Sequence, residues 1–113
     1  MDRPRIRHIA INVQDRDKVA DYLKKVFGLQ EKERGENGTI YLSDGFVDVA
    51  LISTTRHKWG IHHFGFQVED VKAMEELAGA VAVPSPIAGV HAEFQFRDPE
   101  GNQVDLSEEG WPV

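Results

Sequence analysis

The pattern of apolar and polar positions occurs twice along the chain, offset by 55 residues (8 to 63). Residues 7–15 read Arg-His-Ile-Ala-Ile-Asn-Val-Gln-Asp, and residues 62–70 read His-His-Phe-Gly-Phe-Gln-Val-Glu-Asp. In each copy a histidine precedes alternating apolar residues, which is typical of a half-buried strand, and a helical pattern follows. The repeat predicts two similar modules that share one sheet, with His8 and His63 at equivalent positions.

The first module is predicted to run strand, helix and then three strands. Residues 5–13 alternate as a strand, and residues 15–28 combine an aspartate cap, helical spacing of apolar residues and a glycine stop. Residues 29–34 predict a short, charged edge strand. Residues 39–43 and 46–52 predict a hairpin around an Asp-Gly turn.

The second module is predicted to repeat this order. Residues 61–68 alternate as a strand, and Asp70 can cap a following helix. Residues 81–88 contain two prolines and predict at most a short, irregular edge strand. Residues 91–97 and 103–107 predict a second hairpin around the turn Asp-Pro-Glu-Gly-Asn.

The domain organisation follows from these elements. A chain of 113 residues has the length of one domain. Module one is assigned to residues 5–53, a polar and basic linker to 54–59, and module two to 60–108. The tail, residues 109–113, is expected to be loose except for Trp111, which can pack down or meet a partner chain.

The two lead strands are predicted to bury one face against the helices and to leave a polar, concave face free. Two such curved half-barrels side by side would enclose a cleft. His62 falls on the helix-facing side in this alternation and is interpreted as a core or interface histidine. The concave residues are His8, Ala10 and Asn12 in the first strand, and His63, Gly65 and Gln67 in the second.

Composition excludes several classes of function. The formal net charge is −6, without a stripe of lysine or arginine, which argues against a nucleic-acid partner. The chain has no cysteine, so disulfides and thiolate chemistry are excluded. No apolar run approaches the ~18–20 residues of a membrane span. Residues 1–5 lead straight into a strand pattern, so no signal peptide is predicted and a cytoplasmic location is expected.

Four segments resemble the vicinal oxygen chelate superfamily, which includes glyoxalase I, extradiol dioxygenases, methylmalonyl-CoA epimerase and the bleomycin and fosfomycin resistance proteins. They are Arg-His-Ile-Ala-Ile-Asn-Val, Tyr-Leu-Lys-Lys-Val-Phe-Gly-Leu, His-His-Phe-Gly-Phe-Gln-Val-Glu-Asp and, at residues 96–108, Phe-Arg-Asp-Pro-Glu-Gly-Asn-Gln-Val-Asp-Leu-Ser-Glu. The resemblance covers residues 5–108. It implies an α+β fold of two tandem βαβββ modules, in which a curved, mixed and largely antiparallel sheet surrounds a cleft.

The resemblance also implies a set of metal ligands. The family places ligands on the first and last strands of each module, and His8, His63 and Asp105 occupy three of these positions. Asp105 stands where the family usually has glutamate. The fourth position matches Ala50, which cannot bind a metal, and Asp48 is a replacement if the register shifts.

Two imidazoles and one carboxylate suit a divalent Fe, Mn, Co, Ni or Zn ion and leave positions open for substrate oxygens. Such an ion acts as a Lewis acid on an enolate or alkoxide. The alternative is that His8 and His63 are only polar residues on a concave face, and that Asp105 is a hydrogen-bonded structural carboxylate.

Further candidates come from the same concave face. Glu93 or His91 is the candidate general base, although Glu93 can equally be a solvated edge carboxylate. Four polar residues are candidates for binding substrate, or for satisfying one another across the cleft. They are Asn12, Tyr41, Gln67 and Gln95.

Two functions remain open from the sequence. The first is a metal-dependent lyase, isomerase or ring-cleaving dioxygenase that acts on a small substrate with vicinal oxygens. The second is a metal-free protein that sequesters a small molecule, as the bleomycin-resistance proteins do. No arginine cluster that would hold a glutathione or a phosphonate is evident. A homodimer is expected, with a site that can draw ligands from both chains.

Overall fold

The computed structural model describes residues 3–87 and 90–113. Eight strands and two helices follow one another in the order that the repeat predicts. In module one they are β1 (Arg5–Asn12), α1 (Arg16–Phe27), β2 (Gln30–Arg34), β3 (Ile40–Ser43) and β4 (Asp48–Ile52). In module two they are β5 (Gly60–Gln67), α2 (Val71–Ala78), β6 (Val83–Pro84), β7 (Phe94–Arg97) and β8 (Gln103–Ser107).

All eight strands form one open, mixed sheet in the order β2-β3-β4-β1-β5-β8-β7-β6. The two lead strands, β1 and β5, pair antiparallel at its centre. Each lead strand also pairs in parallel with the last strand of its own module, β1 with β4 and β5 with β8. The remaining pairs are antiparallel. The predicted α+β architecture of two βαβββ modules is therefore confirmed.

Both helices begin where the sequence predicts, and α1 also ends at the predicted glycine. The side chain of Asp15 accepts a hydrogen bond from the backbone N–H of Lys18, and Gly28 ends α1 with a φ of 71°. Asp70 accepts in the same way from Lys72 at the start of α2. Each helix covers the convex face of its module, where small apolar clusters are buried. The buried members are Ala20, Ile40, Leu42 and Leu51 in module one, and Val68, Val71, Ala82 and Leu106 in module two.

The two strands that precede β8 are shorter than predicted. β6 has only two residues, because the prolines remove backbone donors; Ala88, at the end of that predicted strand, lies outside the described residues. β7 begins at Phe94 rather than at residue 91. Within the described ranges, no helix is long and apolar enough to cross a membrane.

Candidate metal and substrate site

Three predicted ligands meet on the concave face, around Gly65. His8 pairs with Gly65 across β1 and β5, and Gly65 pairs with Asp105 across β5 and β8. His63 lies two residues before Gly65 on the same face of β5. Because Gly65 has no side chain, the three groups can project into the space above it. Nε2 of His63 lies 3.1 Å from Nε2 of His8 and 3.0 Å from Oδ2 of Asp105.

The spacing of the donor atoms fits a divalent ion. An ion with ligand bonds of ~2.1 Å at about a right angle holds two donor atoms about 3.0 Å apart. The third distance, from Nε2 of His8 to Oδ2 of Asp105, is 3.8 Å. His8 and Asp105 are buried and His63 is half-buried. All three ligands come from one chain, so the geometry does not require the shared site that the sequence left open.

Asp48 orients the ring of His8. Its Oδ2 lies 2.6 Å from Nδ1 of His8, and its side chain is fully buried. Burial raises the pKa of Asp48, while the hydrogen bond from His8 opposes the rise. A proton held on Nδ1 leaves the lone pair of Nε2 free to face the other two ligands. In this register Asp48 contacts Nδ1 of His8 and is not grouped with His63 and Asp105, so it supports a ligand instead of replacing one.

His62 contacts the other imidazole of the site. The pairing of β1 with β5 shifts by one residue, since Ala10 pairs with His63 but Ile11 pairs with Ile61. His62 is thus the extra residue of a β-bulge, and it lines the cleft. The expectation that it faces the helix is wrong, because alternation fails at a bulge.

The ring of His62 forms a hydrogen bond with the ring of His63. The two Nδ1 atoms are 2.6 Å apart, so one of them carries the shared proton. Burial, and then the charges of His63 and His57, lower the pKa of His62 to about 4. A neutral His62 can accept the Nδ1 proton of His63, which leaves Nε2 of His63 free toward the ligand cluster.

Asp105 is held in its ionised form. Burial raises its pKa, but the hydrogen bond with His63 and the neighbouring imidazole charges, together with a hydrogen bond from Gln103, bring it below its ordinary value. Nε2 of Gln103 donates to Oδ1 of Asp105 at 2.8 Å. Oδ2 is thereby left to face the two histidines, as a ligand oxygen must.

Trp111 covers one side of the ligand cluster. Its ring stacks on His8 with 4.6 Å between the centroids and an angle of 2° between the planes. A Cβ added at Gly65 would lie 2.8 Å from Cη2 of Trp111. Trp111 is buried against its own chain, which is the first of the two arrangements expected for it.

The segment before Trp111 is anchored on the concave face. Oε1 of Glu93 accepts hydrogen bonds from the backbone N–H groups of Glu108 and Glu109, at 2.8 and 3.4 Å. Its Oε2 accepts the hydroxyl of Ser107, whose Oγ accepts the N–H of Gly110 at 2.8 Å. The prediction of a loose tail is therefore wrong.

The anchored tail removes two candidates from the open cleft. The carboxylate of Glu93 is occupied by the tail, and Gln67 lies beneath Gly110, where an added Cβ would be 2.9 Å from the Gln67 amide. Neither residue lines the cleft. Alternation places both on the correct face, but a non-periodic segment covers that end of it. Glu93 is thus placed as a tail anchor rather than as a base.

Asn12 is covered at the opposite end of the face. Its Oδ1 accepts the N–H of Thr54 at 2.9 Å, and its Nδ2 lies 2.9, 3.3 and 3.1 Å from the carbonyl oxygens of Thr54, His57 and Lys58. Asn12 is fully buried. Its amide fixes the linker and does not reach the cleft, so the expected contact with substrate is corrected to a structural contact.

Three other predicted residues do line the cleft: Tyr41, His91 and Gln95. Nε2 of His91 lies 2.7 Å from Oε2 of Glu33, which joins the loop before β7 to the edge strand β2 at the far side of the sheet. The ring of His91 also meets Tyr41 edge-on at 5.0 Å. Burial, and then the charges of Asp48 and Glu33, raise the pKa of Tyr41 to about 12, so its hydroxyl stays protonated.

The cleft between these groups has a volume of about 570 Å³, within the range of small-molecule sites. Ala10 and Ala50 pair across β1 and β4 and form an apolar floor with Tyr41. Sequence reasoning missed one group of lining residues, which the fold brings together from three separate segments: Arg16, Arg56 and Arg97.

Comparison with known proteins identifies the family. A family profile described as Glyoxalase/Bleomycin resistance protein/Dioxygenase superfamily matches residues 5–106. The chain therefore belongs to this superfamily. No curated protein sequence is similar enough to the chain to count as a relative.

Solved structures agree on the fold. A 2,3-dioxygenase, LapB from Pseudomonas sp. KL28, superposes with a TM-score of 0.73 at 21% identity, over 96% of this chain and 42% of its own. Methylmalonyl-CoA epimerase from Mycobacterium tuberculosis superposes with a TM-score of 0.69 at 16% identity, over 89% of this chain and 85% of its own. A glyoxalase/bleomycin resistance protein/dioxygenase superfamily member from Vibrio splendidus 12B01 superposes with a TM-score of 0.63 at 19% identity, over 92% of this chain and 97% of its own. The chain thus spans less than half the length of that dioxygenase, and identities this low support the fold alone.

Proposed function

We propose that this protein is a divalent-metal-dependent enzyme acting on a small substrate with two adjacent oxygen atoms. The observation that carries the proposal is the convergence of His8, His63 and Asp105 around Gly65, with the remaining polar atoms of each ligand engaged by a neighbour. Ligands oriented in this way are typical of metal sites rather than of incidental polar clusters.

The protein's own residues would divide the work. His8, His63 and Asp105 would hold the ion, and the open side of the cleft would admit substrate. A divalent ion there supplies Lewis-acid stabilisation of charge on two adjacent substrate oxygens, and iron would in addition accept dioxygen. Trp111 and the anchored tail would exclude water from one side of the ligands.

His91 is the proposed general base. It lines the cleft, and its contact with Glu33 fixes the ring, so that the other nitrogen, Nδ1, is available for proton transfer. Tyr41, which stays protonated up to about pH 12, would donate a hydrogen bond to a substrate oxygen. Gln95 would bind a polar substrate atom beside Asp105, its partner across β7 and β8.

The first test is metal content. Protein purified anaerobically without chelator should hold close to one divalent ion per chain, or take one up from Fe(II), Mn(II), Co(II), Ni(II) or Zn(II) with a rise in melting temperature. His63→Ala and Asp105→Ala should abolish this rise. The matched control is His91→Ala, which should bind metal normally yet lose turnover by about 10²-fold or more. Metal far below one per chain, with no ion raising the melting temperature, would rule out the proposal.

The reaction type can be separated by the metal that restores turnover. A ring-cleaving dioxygenase requires Fe(II) or Mn(II) and consumes dioxygen when supplied with a catechol. An isomerase or lyase works without dioxygen and accepts Co(II), Ni(II) or Zn(II) as well. An oxygen electrode, read alongside proton exchange at a carbon next to a carbonyl group, distinguishes the two.

A second candidate, metal-free sequestration of a small molecule, is favoured by two observations. Nε2 of His63 is within hydrogen-bond distance of both His8 and Asp105, so these groups can satisfy one another without an ion. Ala50 also leaves the fourth ligand position empty of donors. This candidate predicts that ligand affinity is unchanged by His8→Ala and by chelator.

The assembly and location inferred from the sequence stay proposals. A homodimer would elute with twice the mass of 12.7 kDa in size-exclusion chromatography with light scattering. Since each chain carries its own ligand set, we expect dilution to monomers to leave metal binding intact. The cytoplasmic location also remains a proposal.

A further inference from the structure

Three arginines line the cleft of a chain whose formal net charge is −6. Arg16 begins α1, Arg56 lies in the linker and Arg97 ends β7. Among residues 3–87 and 90–113, no carboxylate lies within ion-pair distance of any of the three, whereas Arg34 on the outer edge is paired twice. The three guanidinium groups are thus positive charges at the cleft without an ion-pair partner among the described residues.

Arg16 is held in place by backbone built around it. Its Nη1 lies 3.2 Å from the carbonyl oxygen of Asn37. A Cβ on Gly38 would lie 2.5 Å from Nη2 of Arg16, and Gly38 has a φ of 88°, which favours glycine. The guanidinium therefore rests directly on the turn. A cation fixed in this way loses little side-chain freedom when it binds an anion.

Neighbouring contacts hold the backbone of Arg56 and the side chain of Arg97. The backbone N–H of Arg56 donates to Oγ1 of Thr54 at 3.2 Å, in the linker that Asn12 anchors. Nη1 of Arg97 donates to the carbonyl of Gly101 at 3.3 Å. Each guanidinium retains N–H donors beyond these contacts.

The floor of the cleft is apolar. Ala10 and Ala50 both lie in this floor and carry only methyl groups. A substrate body can lie flat on it, with chelating oxygens at one end and a charged group at the other.

We propose that the substrate carries an oxyanion group, a carboxylate or a phosphate, in addition to its two adjacent oxygens, and that Arg16 and Arg56 bind this group. The inference rests on the proposed function for the adjacent oxygens only. The anion contact can be measured without any metal, so the two proposals can fail separately.

The experiment compares ligands that differ by one anionic group. Isothermal titration of metal-loaded protein with catechol and with 3,4-dihydroxybenzoate should show about tenfold tighter binding of the carboxylate. Titration of metal-free His63→Ala protein with benzoate and with phenyl phosphate measures the anion contact alone and tells the two oxyanions apart. Either anion should bind, and raised salt should weaken it.

Arg16→Gln should remove the preference for the anion, and Arg56→Gln, at an exposed position, gives a second variant if the first is unstable. The matched control is Arg5→Gln, which changes the net charge equally but lies outside the cleft. Equal affinity for catechol and 3,4-dihydroxybenzoate would overturn the inference. So would an equal loss in Arg5→Gln and Arg16→Gln, because it would indicate only long-range charge.

Discussion

Replacing Gly65 by alanine would put a methyl group into the space that Trp111 and Asp105 now border. The added Cβ would lie 2.8 Å from Cη2 of Trp111, 3.0 Å from Cβ of Asp105 and 3.1 Å from its carbonyl oxygen. Gly65 does not have a positive φ, so alanine fits the strand backbone and the cost is steric. The indole ring lies closest and must move first.

The size of the effect follows from these distances. Overpacking of one methyl group costs about 1–3 kcal/mol of unfolding free energy. Trp111→Ala alone should cost about 3 kcal/mol, since a buried indole is lost. In the Trp111→Ala background, Gly65→Ala meets only the contacts at 3.0 and 3.1 Å to Asp105, and its cost should fall to below about 1 kcal/mol. The coupling energy is then about 1–2 kcal/mol.

The assay is urea unfolding of the four proteins of this cycle, followed by circular dichroism. Gly101→Ala serves as the control, because Gly101 has a φ of 87° and open space around it. Its backbone cost of about 1–2 kcal/mol should be the same with and without Trp111. Additive free energies for Gly65→Ala and Trp111→Ala would refute the placement of the indole over Gly65.

Three further predictions concern groups around the site. Asp48→Asn should weaken metal binding by about 10–100-fold. The amide can donate to Nδ1 of His8, which moves the ring proton to Nε2, the nitrogen that would bind the metal. Unchanged affinity in a metal titration would contradict this prediction. Asn12→Asp should destabilise the fold by about 3 kcal/mol or more in urea unfolding, since a carboxylate would replace the donor to the carbonyl of Thr54. The phenol of Tyr41 should ionise at a pKa of about 12 instead of 10.0. Its contribution to the free energy of unfolding is therefore complete below pH 10 and lost as pH rises to 12. An absorbance titration in which every phenolate forms near pH 10 would disprove this shift.

The parts of the fold with a regular period could be predicted from the sequence. Alternation along β1 and β5 placed His8 and His63 on one face, and the resemblance to the superfamily added Asp105 as the third ligand. Helix caps at Asp15 and Asp70 defined both helix starts. The alternation and the caps depend on residues close in sequence, which explains why they could be predicted.

The parts without a period could not be predicted. The tail and the linker cover the two ends of the concave face through single anchors, Glu93 and Asn12, and such contacts leave no pattern in the sequence. The bulge at His62 is a one-residue shift that reverses which way a side chain points. The presence of Arg16 and Arg56 in one cleft depends on how the linker folds back onto the end of β1.

The stack of Trp111 on His8 joins residues 103 positions apart (8 to 111). Binding of a ligand at this stack therefore requires nearly the whole chain to be folded, and a fragment of the chain would not bind it with the same affinity. Saturating ligand should slow amide hydrogen exchange even in the distant helix around Ala20, to the extent that exchange there requires global opening. Occupancy of the cleft would then set the lifetime of the folded chain as well as its chemistry.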